Sequence, residues 1–538
     1  MPEADERLAR VLAFHDGTKH HFHRFARSTG FLDWASQPRA FRSFAGAPQY
    51  PLPPRPDAAR ATAIGAPLTF ALVGDVLRHS LGLSAWKSFG ASRWSLRVNP
   101  SSGNLHPTEA YVIAGGFADA GGFADVSAAE APAVYHYAAD LHALERRATL
   151  DAGAWSGAIA DPDVWLIALT SIHWREAWKY GERAFRYCQH DLGHAIAAIR
   201  HAAAIAGCDA RLMPEWSSAD IAALTGIDRD DDYFEAEREE AACVLAMGPS
   251  RAVDRQALVA AARHATWTGR ASQLSEDHVR WTIVDDVAKA TRDEGRAVPA
   301  REGVRDVTSA EHEAGHLPDR ALVLQRRSAV ALDGRSSIDA ATFLSMLAGV
   351  MPTDAAPWDA LWWDARIHLA IFVHRVDGLD PGLYLLARDP ATVDRLKIAC
   401  GREFLWERVT GALPLFVLAR GDARALAQRL SCDQEIAADG FFSLGMIADF
   451  DASLSTFGPS FYRHLFWEAG IVGQVLYLEA EAAGARGTGI GCFYDDPVHE
   501  TLGLTGHAFQ SLYHFTIGIP VDDVRLTTEP GYAWESRA

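Results

Sequence analysis

A repeat spaced 277 residues apart constrains this chain more than any other feature. Arg186, Gly193 and Gly207 recur as Arg463, Gly470 and Gly484. Between them Asp191 meets Glu468, Ala203 meets Ala480 and Ala206 meets Ala483 without a gap, and LTGI at 224–227 answers LGL at 502–504 within one residue. Self-similarity at a fixed long period marks one folding unit used twice. Length agrees, because 538 residues exceed the about 250 to 300 at which a single core stops growing. Two unequal domains are expected, at 1–250 and 321–538. The stretch 251–320, charged and poor in long apolar runs, reads as a connector.

With 49% apolar and 22% charged residues, the chain can build a sizeable core. A formal charge of −18 argues against nucleic acid or an anionic membrane surface as partner, since phosphate binding needs concentrated positive charge. The six cysteines form no CxxC pair. With an acidic start, no apolar leader and no run of about 18 apolar residues, the chain is expected in a reducing cytoplasm.

Local patterns mix both periodicities. Phe343, Leu347 and Val350 fall at helical spacing behind a capping Asp339, and 182–206 reads as one long helix. Ile367, Leu369, Ile371 and Val373 alternate as a strand does, and EAYVIAGG, VWLIALTSI, AACVLAMGP, PLFVLARGD and SLYHFTIGIP add further strands. Without regular βαβ spacing, the expected class is α+β, two mostly antiparallel sheets each flanked by helices.

The most informative stretch is Asn99-Pro-Ser-Ser-Gly-Asn-Leu-His-Pro107, directly before a strand. Two hydroxyls, turn amides, a glycine and the bifunctional amide of Asn104 suit the edge of a flat heterocycle; the same residue types also make an ordinary polar loop. Arg326-Arg327-Ser328 offers guanidinium forks to a phosphate, or forms a solvated surface pair. HEAGH at 312–316 satisfies HExxH, but Gly315 and Pro318 interrupt the helix that zinc ligation needs, so no metal is expected.

Taken together, these motifs resemble the nitroreductase superfamily. PSSGNLHP is similar to the family's PSSxNxQP element, and RRS at 326–328 resembles its RRSxR element, with Val330 in place of the last basic residue. The resemblance implies FMN, contacted by Pro100, Ser101, Ser102, Gly103 and Asn104 from the first half. From the second half it implies Arg326, Arg327 and Ser328, the loop Gly489-Ile490-Gly491, and Arg525 near the phosphate, with Asp523 where the family often has lysine. In homodimeric members each FMN lies across the subunit interface. Here PSSGN occurs only in the first half, its second-half counterpart being PWDALWWDARIHLAI, and a clean RRS occurs only in the second, Pro38–Arg42 being an imperfect match. An intramolecular pseudo-dimer with one complete site is therefore expected, and further self-association stays open.

The segment HWREAWKYG at 173–181, with the opening HDGTKHHFHRFA, resembles the SagB/ThcOx subgroup of azoline dehydrogenases. That resemblance implies Lys179 and Tyr180 as acid-base residues; a surface lysine beside a half-buried tyrosine is the plainer alternative. Their repeat partners are Thr456 and Phe457, so the second copy lacks both titratable groups. The implied activity is dehydrogenation of a small-molecule or peptide-derived substrate by FMN. An NAD(P)H-dependent nitro or quinone reductase, and a flavin-free scaffold in a maturation complex, are the alternatives.

Overall fold

The computed structural model describes residues 2–54, 68–119, 131–248, 252–297, 317–401 and 403–537. The HEAGH motif lies outside them. The expected long helix runs from Ala184 to Ile205 (α2), preceded by a short helix His173–Tyr180 (α1); the second half repeats both as Phe450–Phe457 (α3) and Phe461–Ala482 (α4). The cap at Asp339 forms as expected, its side chain accepting from Thr342 N at the start of helix Ala340–Gly349.

Each half folds around an antiparallel sheet. In the first, the six principal strands stand in the spatial order Ala143–Thr149, Ala133–Ala138, Thr108–Ala114, Trp165–Ser171, Glu240–Met247, Ala210–Leu212. In the second, the order is Leu415–Arg420, Gly382–Leu386, Ile367–Val373, Phe442–Asp449, Phe509–Gly518, Arg486–Ile490. Numbered along the chain, both read third, second, first, fourth, sixth, fifth, with the helix pair inserted after the fourth strand. The two halves thus repeat one arrangement, an α+β architecture of two sheet-and-helix regions.

The repeated glycines explain how the halves meet. A Cβ on Gly193 would lie 2.1 Å from the Trp467 carbonyl oxygen, and one on Gly470 would lie 2.3 Å from that of His190. Only hydrogen at these positions lets α2 and α4 approach so closely. Trp467 Nε1 also donates to Gln189 Oε1 across the contact at 2.9 Å. A third, three-stranded sheet joins the halves again, with Thr527–Pro530 pairing Leu83–Phe89, which pairs Ser92–Arg97. The described part of the expected connector is folded: Arg255–His264 is a helix, Thr266–Trp267 extends the first sheet, and Thr282–Ala290 packs against the helix Pro2–Gly17.

Candidate functional site

The PSSGN loop is locked from below by one buried carboxylate. Asp191 on α2 accepts from Ser102 N at 3.0 and 3.2 Å and from Ser102 Oγ at 3.0 Å. Ser101 Oγ accepts from His106 N at 2.8 Å, and Asn104 Nδ2 donates to Ser95 O at 2.8 Å. Gly103, Asn104 and His106 all adopt left-handed backbone, φ 58°, 60° and 53°. The turn therefore stores local strain that its hydrogen bonds hold in place.

Helix α1 delivers Lys179 and Tyr180 to this loop. A Cβ on Gly103 would lie 2.5 Å from Tyr180 Oη and 3.1 Å from Lys179 Nζ, so glycine is required for the contact. Burial, with Glu176, Tyr187 and Asp191 nearby, pushes the Tyr180 phenol well above its ordinary value and keeps it protonated. Burial also pushes Asp191 up to about 7, against the hydrogen bonds from Ser101 and Ser102. Glu176, one turn before Lys179 and fully buried, is raised by burial and by Asp191.

Beyond the loop lies a cavity of about 1160 Å³, somewhat above the usual size of small-molecule sites. Pro100, Ser101, Ser102, Gly103, Asn104 and Tyr180 line it from the first half; Arg326, Arg327, Ser328, Gly489, Ile490 and Gly491 line it from the second. Ser328 Oγ and Gly489 N both meet the Tyr477 hydroxyl, at 2.9 and 3.0 Å. Arg326 donates to the carbonyls of Val98 and Arg97, while its buried Nη1 has no partner among the described residues. Arg327 donates to Ser84 O at 3.0 Å; burial and the neighbouring Arg326 pull it down to about 10.

Two sequence-derived residues lie outside this lining. Lys179 stands behind the loop at Gly103. Arg525 is exposed, paired with Asp523 at 2.7 and 2.8 Å and set over the Phe89 ring, although its neighbours Val524 and Leu526 do line the cavity. Lys87 and Arg486 supply basic lining instead. Sequence reading missed them because isolated basic residues on strands carry no motif. It also missed Asp191 as a site residue, although its repeat match with Glu468 was the signal.

The glycines at 489 and 491 make room for the protein's own rings. A Cβ on Gly489 would lie 1.8 Å from Tyr513 Oη, and one on Gly491 would lie 2.2 Å from the Tyr187 ring. Tyr513 is stacked on His190 with centroids 4.1 Å apart and is bonded to His194 Nε2 at 3.2 Å, giving the cavity a rigid aromatic floor. A flat ring with polar edges and an anionic tail fits this donor set. The PSSGN loop and the basic residues Lys87, Arg326, Arg327 and Arg486 line the same cavity, and Arg326 keeps a buried donor without a partner among the described residues.

Residues 69–248 match the Nitroreductase family, described by that name. No curated protein sequence matches the chain. Among solved structures, a candidate nitroreductase from Anabaena variabilis is similar over 95% of this chain and 99% of its own, at 22% identity and a TM-score of 0.69. A candidate nitroreductase from Ralstonia eutropha overlays 42% of this chain and 97% of its own at 15% identity, with a TM-score of 0.28. The E. coli microcin synthetase McbBCD complex overlays 43% of this chain and 80% of its own at 16% identity, with a TM-score of 0.29. The near-complete overlay on the Anabaena structure, together with the family match inside the first half, gives this chain a nitroreductase-superfamily fold.

Proposed function

We propose that the protein is an FMN-dependent oxidoreductase of the SagB dehydrogenase type, acting in the cytoplasm on a small-molecule or peptide-derived substrate. In this reading the copies at 1–250 and 321–538, joined through 251–320, form an intramolecular pseudo-dimer with one complete site. One observation carries it: a single cavity draws the PSSGN loop and Tyr180 from one half, and Arg326–Ser328 and Gly489–Gly491 from the other.

Arg326, Arg327, Lys87 and Arg486 would hold the phosphate by charge-assisted hydrogen bonds, and the loop at 101–104 would hold the ring edge. When bound, FMN supplies a two-electron acceptor. Asp191 fixes Ser102 and hence the loop. Tyr187 and Tyr513 wall the floor and exclude water. Tyr180 Oη, lining the cavity and protonated at neutral pH, hydrogen-bonds the reacting heteroatom and orients it, and Lys179, behind the Gly103 turn, completes the pair from outside the lining. The match of this pair with Thr456 and Phe457 supports a role beyond folding, because the same helix forms without them.

The test is the double variant Lys179→Ala, Tyr180→Phe in the full chain. It should keep bound FMN and its melting temperature, while flavin reduction by an azoline-containing peptide falls by about 10² to 10⁴. Reduction by dithionite should be unchanged. Loss of flavin from the variant would make the pair a cofactor-binding element. Rapid bleaching by NADPH, with no response to azolines, would favour a nitro or quinone reductase.

A further inference from the structure

A second set of reactive side chains stands at the rim of the same cavity and has no part in the chemistry above. Cys492, between strand Arg486–Ile490 and helix Asp495–Leu502, lines the cavity beside Gly491. Cys432 sits in the turn between helices Arg424–Leu430 and Ile436–Asp439. Their Sγ atoms are 2.9 Å apart, and His20 Nδ1 lies 3.8 Å from Cys492 Sγ.

The surroundings hold this encounter in place. Gln434 Nε2 bridges the two segments, donating to Cys492 O at 3.0 Å and Ser431 O at 2.7 Å, and Tyr494 N donates to Leu430 O at 2.8 Å. Cys432 and Asp433 adopt φ of 55° and 59°, a left-handed conformation costly for residues with a Cβ, and one that tends to mark functional turns. Asp495 accepts from His20 N at 2.8 Å and from Arg183 Nη1 at 2.9 Å, and Arg183 Nη2 donates to Gly491 O at 3.2 Å. A buried cation and a histidine are thereby fixed next to the thiols.

Cys432, Cys492 and His20 offer three atoms within 4.8 Å of one another, which also invites a metal. Geometry favours the other chemistry. Tetrahedral zinc with bonds of about 2.3 Å holds two sulfurs roughly 3.7 Å apart and takes four ligands. Here the sulfurs are closer than that, on the way to the about 2.0 Å of a covalent bond. No fourth such ligand joins the group among the described residues.

We propose that Cys492 and Cys432 form a redox-active dithiol–disulfide site that exchanges with low-molecular-weight disulfides entering through the cavity. Cys492, half-buried and lining the cavity, is the attacking thiol. The hydrogen bond from Cys432, with help from His20 and Arg183, holds Cys492 well below the ordinary thiol range against the effect of burial, and the same contact pushes Cys432 up. The Cys492 thiolate attacks one sulfur of RSSR, breaking its S–S bond to form a mixed disulfide and release RS⁻. Cys432 then loses its proton and attacks Cys492 Sγ, closing the internal disulfide and expelling the second RS⁻. Both cysteines are oxidised by two electrons in all, and one RSSR, with two protons, becomes two RSH. The step needs no flavin, so it stands apart from the oxidoreductase reading.

Oxidised glutathione on the reduced full-length chain is the probe. Alkylation and peptide mass spectrometry should show a Cys432–Cys492 bridge reversed by dithiothreitol, with the buried Cys188, Cys243 and Cys400 still alkylated only after unfolding. Cys208 serves as a control, since burial pushes its thiol up to about 11. Cys432→Ser should trap one glutathione on Cys492, and Cys492→Ser should leave Cys432 unmodified. Absence of the bridge in the wild-type chain would overturn the proposal whatever the variants do. Stoichiometric zinc that protects both thiols and is lost in Cys432→Ser would overturn it in favour of a metal site.

Discussion

Asp191 and Glu468 occupy the same position of the repeated helix and both are buried, yet their surroundings differ. Glu468 accepts from Arg366 N, Ile367 N and Trp363 Nε1 and pairs with Arg388, itself seated on the Trp358 ring. Asp191 has the same task, pinning the loop before the first strand of its sheet, but it forms no ion pair among the described residues, and burial takes it up to about 7. The second-half acid has Arg388 as its partner, while the cavity-lining acid has no such cation and is raised by burial. The folded value lies above the unfolded one of about 4, so Asp191 contributes stability fully present below about pH 4 and lost as pH rises to 7. The stability of the wild-type chain relative to Asp191→Asn, measured by denaturant unfolding, should therefore fall by up to about 4 kcal/mol over that range. An identical pH slope in the two proteins would exclude Asp191 as its source. None of this was legible beforehand: the sequence aligned the two acids, but their partners come from loops far along the chain.

At the scale of elements, the pairing of α2 with α4 depends on hydrogen at Gly193 and Gly470. Gly470→Ala puts a methyl 2.3 Å from a backbone oxygen that cannot rotate away, so the helices must separate. A loss of about 1 to 3 kcal/mol is expected from such overpacking, read as a lowered unfolding midpoint. Gly157→Ala, in helix Ala152–Ala158 with nothing near the added carbon, should be neutral or stabilising. If both variants behave alike, close approach is not what the repeated glycines provide. The helix and strand patterns were readable because burial imposes periodicity, and the PSSGN turn because its conformation demands particular residue types. The loop at 489–491 lines the cavity, and its two glycines also leave room for Tyr513 and Tyr187, a packing demand that the sequence did not disclose. Arg525 lies in an exposed segment, where the structure pairs it with Asp523 and sets it over the Phe89 ring, contacts that no motif announces.

Across the whole molecule, asymmetry between the halves predicts stoichiometry. Only one combination of segments lines the cavity, so denaturation should release one FMN per chain; a ratio near two would require a second site in which the segment Trp358–Trp363 replaces PSSGN. Either half expressed alone should be poorly soluble and colourless, because each would expose the apolar face of its long helix and half a cavity. A soluble, yellow single half would contradict this.

The strand Thr527–Pro530 has a consequence in time as well as in space. It completes a sheet begun by Leu83–Phe89 and Ser92–Arg97. During synthesis at about 5 to 20 residues per second, those two strands emerge tens of seconds before their third partner. The edge of Leu83–Phe89 that Thr527–Pro530 covers stays unpaired through that interval, beside the walls of the unfinished cavity. Closure of the cavity is thereby postponed until Thr527–Pro530 has emerged, and a nascent chain stalled between the two halves is the species most exposed to misassembly.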